Sequence, residues 1–357
     1  MAEKKQRLEW LDALRGFTMI LVVAYHICLM GFKENARFSP SMTFLVLFRM
    51  PLFFFISGFL AYKADFNWTR GRLGMMIWKK FKIQVIPTVV FMIAAAVVLR
   101  PKFWQGIEDM LSSPTKGGYW FTWTLLIMFI IYYIFDYITT RLHWHTWVPV
   151  FLLWLVAVGV YATCYMPLWF NYAKGHNPRE AAFLDATSLI QVMEYFHFFL
   201  YGNIVHRYWD KFQRLFDSNW FLPLIVVVVF FCGFDVLKWH TLQFQWTNLP
   251  RTLTMYIMMT IVFMFFRYYQ DSFTKEHFIG RGLQYIGVRT LDIYLIHFLF
   301  IPDLSVLGEY FDTHRHNFII DSSLGILVAL LVIAFCVLVS NVLRMNPFMK
   351  KYLFGRR

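Results

Sequence analysis

Ten long apolar stretches dominate the chain, at approximately 13–32, 41–62, 83–100, 120–139, 147–166, 188–206, 221–237, 250–268, 284–303 and 322–342. A helix needs roughly 20 mainly apolar residues to cross a bilayer, and each stretch is close to that length. The runs are continuous rather than alternating, which argues against a β-barrel. The expected fold is therefore all-α. It is a polytopic transmembrane bundle of about ten spans, forming one domain over residues 1–357. Composition agrees: 59% of residues are hydrophobic and 15% charged, where a soluble domain carries roughly a quarter charged residues. A soluble enzyme, a disordered chain and a nucleic-acid-binding domain are excluded.

Charge sets the expected orientation. Of the 34 Lys and Arg residues, 20 fall on 1–12, 63–82, 140–146, 206–220, 269–283 and 343–357, and 9 on the alternate loops. The other five, Arg15, Arg49, Arg251, Arg267 and Arg289, lie in or beside spans. Positive residues concentrate on the cytoplasmic side, so both termini are expected inside, as a short N-terminal segment 1–12 and a tail 343–357. The net charge of +13 then belongs to loops that meet anionic lipid, with no nucleic-acid partner. The start, MAEKKQRLEW, lacks a small-residue cleavage pattern and reads as an uncleaved insertion signal. Cys28, Cys164, Cys232 and Cys336 all fall in apolar stretches and read as packing residues, with no disulfide and no metal site.

Ionisable groups inside spans are expensive and are functional candidates by default. Arg15 and His26 stand eleven positions apart in the first stretch, close to three helical turns and about 16 Å along the axis. They share a face, with Arg15 near the cytoplasmic surface and His26 beyond the midplane. The structural alternative is that Arg15 snorkels to headgroups and His26 bonds a neighbouring helix. Arg49 precedes Pro51 in the second stretch, at the outer interface, and Ser57-Gly58 permits close helix approach. The loop 63–82 carries Lys63, Arg70, Arg72, Lys79, Lys80 and Lys82, a density suited to a phosphorylated ligand. Glu194 and His197 are three apart on one face: an acid–imidazole pair or a structural bond between helices. The ninth stretch holds Arg289, Asp292, Tyr294 and His297, with Asp292 placed to neutralise Arg289. His143-Trp144-His145 and His314-Arg315-His316 fall in loops without a third ligand, so no metal is expected. Phosphate-binding glycine loops and the Gly-x-Ser-x-Gly elbow are missing from the sequence.

Several of these pieces, taken in order, resemble acyltransferase family 3, the integral-membrane bacterial O-acyltransferases of surface polysaccharides. RLEWLDALRGFTMILVVAYH resembles the family's first helix, with Asp12, Arg15, Gly16 and the ten-residue interval between Arg15 and His26. RMPLFFFISGFL resembles its second-helix motif, YWFTWTLL its Trp-Phe-Leu segment, and the basic run before Pro87 its cytoplasmic cluster. IGVRTLDIYLIHFLFI resembles its late helix through Gly287, Thr290, Tyr294 and His297. The resemblance runs from about residue 8 to 302. Where the family carries Arg-x-Arg, this chain has Lys80-Phe81-Lys82, with Arg70 or Arg72 as alternatives. The esterase-like domain fused to some members is not seen here.

The resemblance implies an acyl-CoA donor, most often acetyl-CoA, an acceptor hydroxyl on a surface or lipid-linked glycan, and a place in the bacterial cytoplasmic membrane. It implies His26, with Arg15, as the catalytic pair, His26 acting as general base or as acyl acceptor. Lys79, Lys80, Lys82 and Arg72 are the expected donor-binding residues. Trp120, Tyr294 and His297 are expected to shape the acceptor side or to donate hydrogen bonds to the oxyanion, and Glu194 is expected on the acceptor side or orienting a histidine. The competing readings are a transporter or flippase of a polysaccharide or lipid-linked sugar, an assembly subunit of an envelope complex, and an acyltransferase with an amine acceptor. A basic cluster beside an Arg–His helix face is something a transporter does not need.

Overall fold

Glu9 and Asp12 sit in the first turn of the first helix, α1 (Glu9–His26), where carboxylates complement the positive helix end. In the computed structural model, residues 8–34, 39–64, 66–144, 146–168, 179–238, 248–314 and 317–354 are described, with 179–181, 231–238, 248–250 and 351–352 described by backbone alone. Directly after His26 the coil widens into a π-helical turn over Ile27–Gly31. Such turns are rare, and they concentrate at functional positions.

The remaining helices follow in order: α2 (Pro40–Ala61), α3 (Arg70–Leu99), α4 (Phe103–Ser112), α5 (Trp120–Arg141), α6 (Val148–Val160), α7 (Arg179–Thr187), α8 (Leu189–Arg207), α9 (Trp209–Phe216), α10 (Phe221–Lys238), α11 (Asn248–Tyr268), α12 (Phe278–Val288), α13 (Thr290–Ile296), α14 (Ser305–Thr313), α15 (Phe318–Met345) and α16 (Pro347–Phe354). There is no strand among the described residues, as the continuous apolar runs require.

Among the described residues, six helices are long and apolar enough to cross a membrane: Glu9–Gly31, α2, α3, α5, Val148–Leu168 and α15. The other four expected stretches take different forms. Residues 188–206 form α8, whose Gln191, Glu194, His197 and Asn203 dilute its hydropathy. Residues 221–237 form α10, separated from α9 by a break after Phe216. Residues 250–268 form α11, which carries Arg251 and Arg267. Residues 284–303 are not one helix: the coil stops at Val288, restarts at Thr290 and tightens into a 3-10 turn over His297–Leu299. Two bonds to α15 accompany this interruption. Arg289 Nη2 donates to Asn341 Oδ1 at 2.9 Å, and Asp292 Oδ2 accepts from Ser340 Oγ at 2.7 Å. Arg289 also lies 4.0 Å over the Tyr285 ring of α12.

One expected loop is also corrected. Residues 70–82 are helical, because Thr69 Oγ1 caps α3 by accepting the N–H of Arg72 at 3.3 Å. Arg72, Lys79, Lys80 and Lys82 therefore lie on the first half of a 30-residue helix. Pro87 and Pro51 are accommodated inside α3 and α2.

The chain divides into two compact units. The first comprises residues 1–53, 216–240 and 249–342, and the second 54–215, 241–248 and 343–357. In the first unit α1 lies along α12, and glycines set the spacing. A Cβ on Gly16 would collide with the carbonyl of Leu283, and one on Gly287 with the carbonyl of Asp12. Backbone cannot yield as a side chain can, so only glycine fits these two positions. Gly287→Leu is expected to abolish stable expression, a loss beyond the roughly 1–3 kcal/mol typical of overpacking. Gly282→Leu, with open space around its position, is the control. A thermal melt of Gly287→Leu matching wild type would refute the close approach.

In the second unit, Gly58 meets the Phe199 carbonyl and Gly202 the Phe55 carbonyl, so α2 and α8 touch through the small pair expected at Ser57-Gly58. There α3 and α5 are joined by a buried Thr88–Thr122 hydroxyl bond of 2.8 Å. Asp136 accepts from Trp68 Nε1 at 2.8 Å and from Arg207 at 2.7 Å. Lys116, in a left-handed turn with φ 51°, donates its ammonium to the carbonyls of Leu111, Ser113, Asp185 and Ala186 at 2.6–3.2 Å. Burial lowers its pKa from the ordinary lysine value.

Candidate active site

The first unit gathers most of the expected catalytic residues on the face that α1 presents to the segment from Thr290 to Leu299. Arg15 Nη2 donates to Thr290 Oγ1 at 3.0 Å, and its other nitrogen approaches Asp12 Oδ1 at 3.5 Å. Eleven residues on, His26 Nδ1 lies 2.9 Å from His297 Nε2, with the two rings stacked at 5.1 Å. Arg15 and His26 therefore share a face, as their spacing demands, and both meet the same partner segment.

The bonding fixes the tautomers. His297 Nδ1 is 3.0 Å from the carbonyl oxygen of Ile293. A carbonyl only accepts, so Nδ1 of His297 carries the hydrogen. With both rings neutral, His297 Nε2 is an acceptor and His26 Nδ1 must donate to it. His26 Nε2 then keeps its lone pair. The result is an imidazole base oriented by a second imidazole, which is itself oriented by a backbone carbonyl. Burial distinguishes the two rings. His297 is 0% exposed, whereas His26 is only half-buried and is the ring that a substrate can reach. The structure brings His297, one of the residues expected at the acceptor side, against the ring of His26.

Tyr294, 7% exposed, lays its ring against His297 and Phe298, at 6.1 and 6.2 Å. Phe298 also packs on His26 at 4.9 Å. Two bonds close the far end of this arrangement. The N–H of Leu304 donates to the carbonyl of Gly31 at 2.8 Å, and Lys33 pairs with Asp303 at 2.7 Å. The Lys33 ammonium beside it holds the Asp303 carboxyl down at about 2. Arg49, expected at an interface, is instead buried, with its guanidinium carbon 3.6 Å above the Tyr25 ring. Tyr25 and Ser340 are the residues that sequence reading passed over. Ser340, a polar residue within the long apolar run of α15, was the available signal.

The second unit holds the other expected residues. Trp120 stacks on Tyr195 at 5.7 Å and lies 6.2 Å from Phe54, an aromatic platform beside Glu194. The Glu194 carboxylate hydrogen-bonds Tyr165. The fully buried His197 bonds the Glu194 backbone carbonyl and packs on Tyr161 at 4.7 Å. The basic residues of α3 do not share one face. Lys80 turns inward, with its ammonium 3.5 Å above the Phe129 ring. Lys79 and Lys82 are exposed, and Lys82 lies 5.6 Å over Trp78. Arg72 spends one guanidinium nitrogen on the carbonyl of Asn67, at 3.0 Å.

No group of three potential metal ligands occurs among the described residues; His145, Arg315 and His316 lie outside them. Cys28 and Cys336 are buried free thiols and Cys164 an exposed one, while the Cys232 side chain lies outside the described residues.

The family model described as an acyltransferase domain matches residues 8–345. No curated protein and no solved structure matches the chain. The family match covers nearly the whole sequence and includes the α1 face, the second-helix motif and the late His297 segment. The chain therefore belongs to acyltransferase family 3, as a multi-pass membrane acyltransferase.

Proposed function

We propose that the protein moves an acyl group, most often acetyl, from cytoplasmic acyl-CoA to a hydroxyl of a cell-surface or lipid-linked glycan. Its place is the bacterial cytoplasmic membrane, with both termini on the cytoplasmic side. The reading rests on the chain from Ile293 through His297 to His26 in a member of an acyltransferase family. His26 Nε2 takes the proton of the acceptor hydroxyl as its oxygen attacks the thioester carbonyl carbon. The C–S bond then breaks, and the proton passes to the departing CoA sulfur. General base catalysis of this kind contributes about 10²–10⁴-fold. The same lone pair allows a second order of events, in which His26 carries the acyl group before the acceptor arrives.

Arg15, tied to Asp12 and Thr290, holds the cytoplasmic end of the same face. Lys79, Lys80, Lys82 and Arg72 are the proposed holders of the CoA phosphates. Lysine serves as a point charge for phosphate and lacks the planar fork of arginine. Trp120 offers a stacking surface for a sugar ring, with Glu194 and Tyr294 as further proposed acceptor residues, while His297 orients His26. Exchanging both Lys80 and Lys82 for alanine is expected to raise the donor KM more than it lowers kcat, because ground-state binding is lost. An unchanged donor KM would place the phosphates elsewhere.

The direct test uses purified protein in lipid vesicles, acetyl-CoA labelled on the acetyl group and an extract of surface glycans. Label that reaches glycan only when His26 is present supports the reading, and the labelled product names the acceptor. No CoA release from any acyl-CoA would overturn it.

A further inference from the structure

Arg49 is a cation in the middle of a membrane-crossing helix, 9% exposed, and nothing in the reaction as written above uses it. A guanidinium at that depth costs several kcal/mol, so its retention calls for a role. The contact that the structure shows for it is specific. Its guanidinium carbon sits 3.6 Å from the centroid of the Tyr25 ring, a cation–π geometry that desolvation strengthens. Tyr25 immediately precedes His26 and its ring lies 5.7 Å from the imidazole. Arg49 and His26 therefore both meet the Tyr25 ring. All three residues belong to the first unit.

The chemistry at His26 creates a charge that needs such a partner. When the acceptor oxygen adds to the thioester, the carbonyl π electrons move onto oxygen and leave an alkoxide. In a dry, low-dielectric site that charge is costly unless a fixed donor awaits it. Arg15 stands about 16 Å away along α1 and is engaged by Thr290, so it does not serve. We infer that Arg49 is the oxyanion-binding residue of the transfer reaction, its guanidinium held over the Tyr25 ring so that its N–H groups receive the carbonyl oxygen beside His26. The inference rests on the acyl-transfer reading above. The alkoxide forms as the C–O bond to the acceptor forms. It collapses to the ester carbonyl as the C–S bond breaks, and the thiolate takes the proton from His26. Tyr25 acts as the positioning residue that holds the fork in place before the substrate arrives.

The test compares wild type, Arg49→Gln and Arg49→Lys in vesicles, reading acetyl-CoA turnover, the donor KM and the thermal melt. In Arg49→Gln, kcat is expected to fall about 10²–10³-fold, the typical cost of one lost oxyanion donor, with the donor KM nearly unchanged. Added methylguanidinium should restore part of the rate. Arg49→Lys keeps the charge without the planar fork, and its kcat should lie between the two. If Arg49→Gln does not fold, Arg49→Lys decides. A folded lysine variant with wild-type kcat overturns the assignment, and one with a reduced kcat at an unchanged melting temperature supports it. Arg49→Gln with kcat within a few-fold of wild type, or a loss seen in KM alone, also overturns it. Failure of the wild type itself to turn over any acyl-CoA overturns the acyl-transfer reading beneath it and is seen in a separate arm.

Discussion

His26→Ala is expected to give a folded protein that releases no CoA from acetyl-CoA above the uncatalysed rate. The imidazole carries the lone pair that accepts the acceptor's proton, and alanine has nothing in its place. At least the 10²–10⁴-fold attributed to a positioned base should go, and more if the acyl group itself rides on the ring. Stability suffers less. The variant strands the Nε2 acceptor of His297, a buried polar atom worth about 1–3 kcal/mol, and leaves the glycine contacts between α1 and α12 untouched. The measurement is CoA release in vesicles alongside a thermal melt. Wild-type turnover in this variant would remove His26 from the chemistry altogether.

The second large effect is expected at His297, which no substrate needs to touch. His297→Leu removes the acceptor that fixes the tautomer of His26 and the direction of its Nε2 lone pair. We expect kcat to drop by about 10²-fold or more with the donor KM unchanged, since a base is useful only when correctly protonated and aimed. His297→Gln tests the cause, because a side-chain amide oxygen can accept from His26 Nδ1 in the same role. Partial recovery in the glutamine variant, with kcat above that of the leucine variant, assigns the loss to orientation. Equal and full activity in both would reduce the histidine pair to packing.

Much of this was legible in the sequence. Length and hydropathy identify α1, α2, α5 and α15 directly, since each carries a long, mainly apolar run. The Arg15–His26 spacing states its own geometry, because three helical turns return a side chain to the same face. Four features were not legible. The extension of α3 down to Arg70 is masked by its charges: hydropathy stops where the lysines start, while the backbone continues under the Thr69 cap. The interruption at Arg289 is accompanied by bonds from Ser340 and Asn341, some 50 residues away, which no local pattern reveals. The His26–His297 bond joins residues 271 positions apart, and two lone histidines in separate apolar runs carry no sign that they meet. The inward turn of Lys80, away from exposed Lys79 and Lys82, is likewise set by its partner helix.

The π-helical turn after His26 carries a consequence for which lengths of chain this site tolerates. Two cross-links, the His26–His297 bond and the Leu304–Gly31 bond, tie the same two strands of chain together at two levels. Between them lie residues 27–31 on one side and 298–304 on the other, so the four anchor points enclose a ring of covalent and hydrogen-bonded links. A ring of this kind has no free end into which a length error can be pushed. A π turn holds one residue more than an α turn in the same advance. Excising a residue such as Leu29, 39% exposed, would leave an ordinary helix with all its apolar contacts available. The phase beyond it would be kept, because the π turn already takes up its extra residue within the advance of an α turn. The surplus residue is therefore a tolerance specification: one residue can leave the turn without changing the phase at which the two segments close on each other.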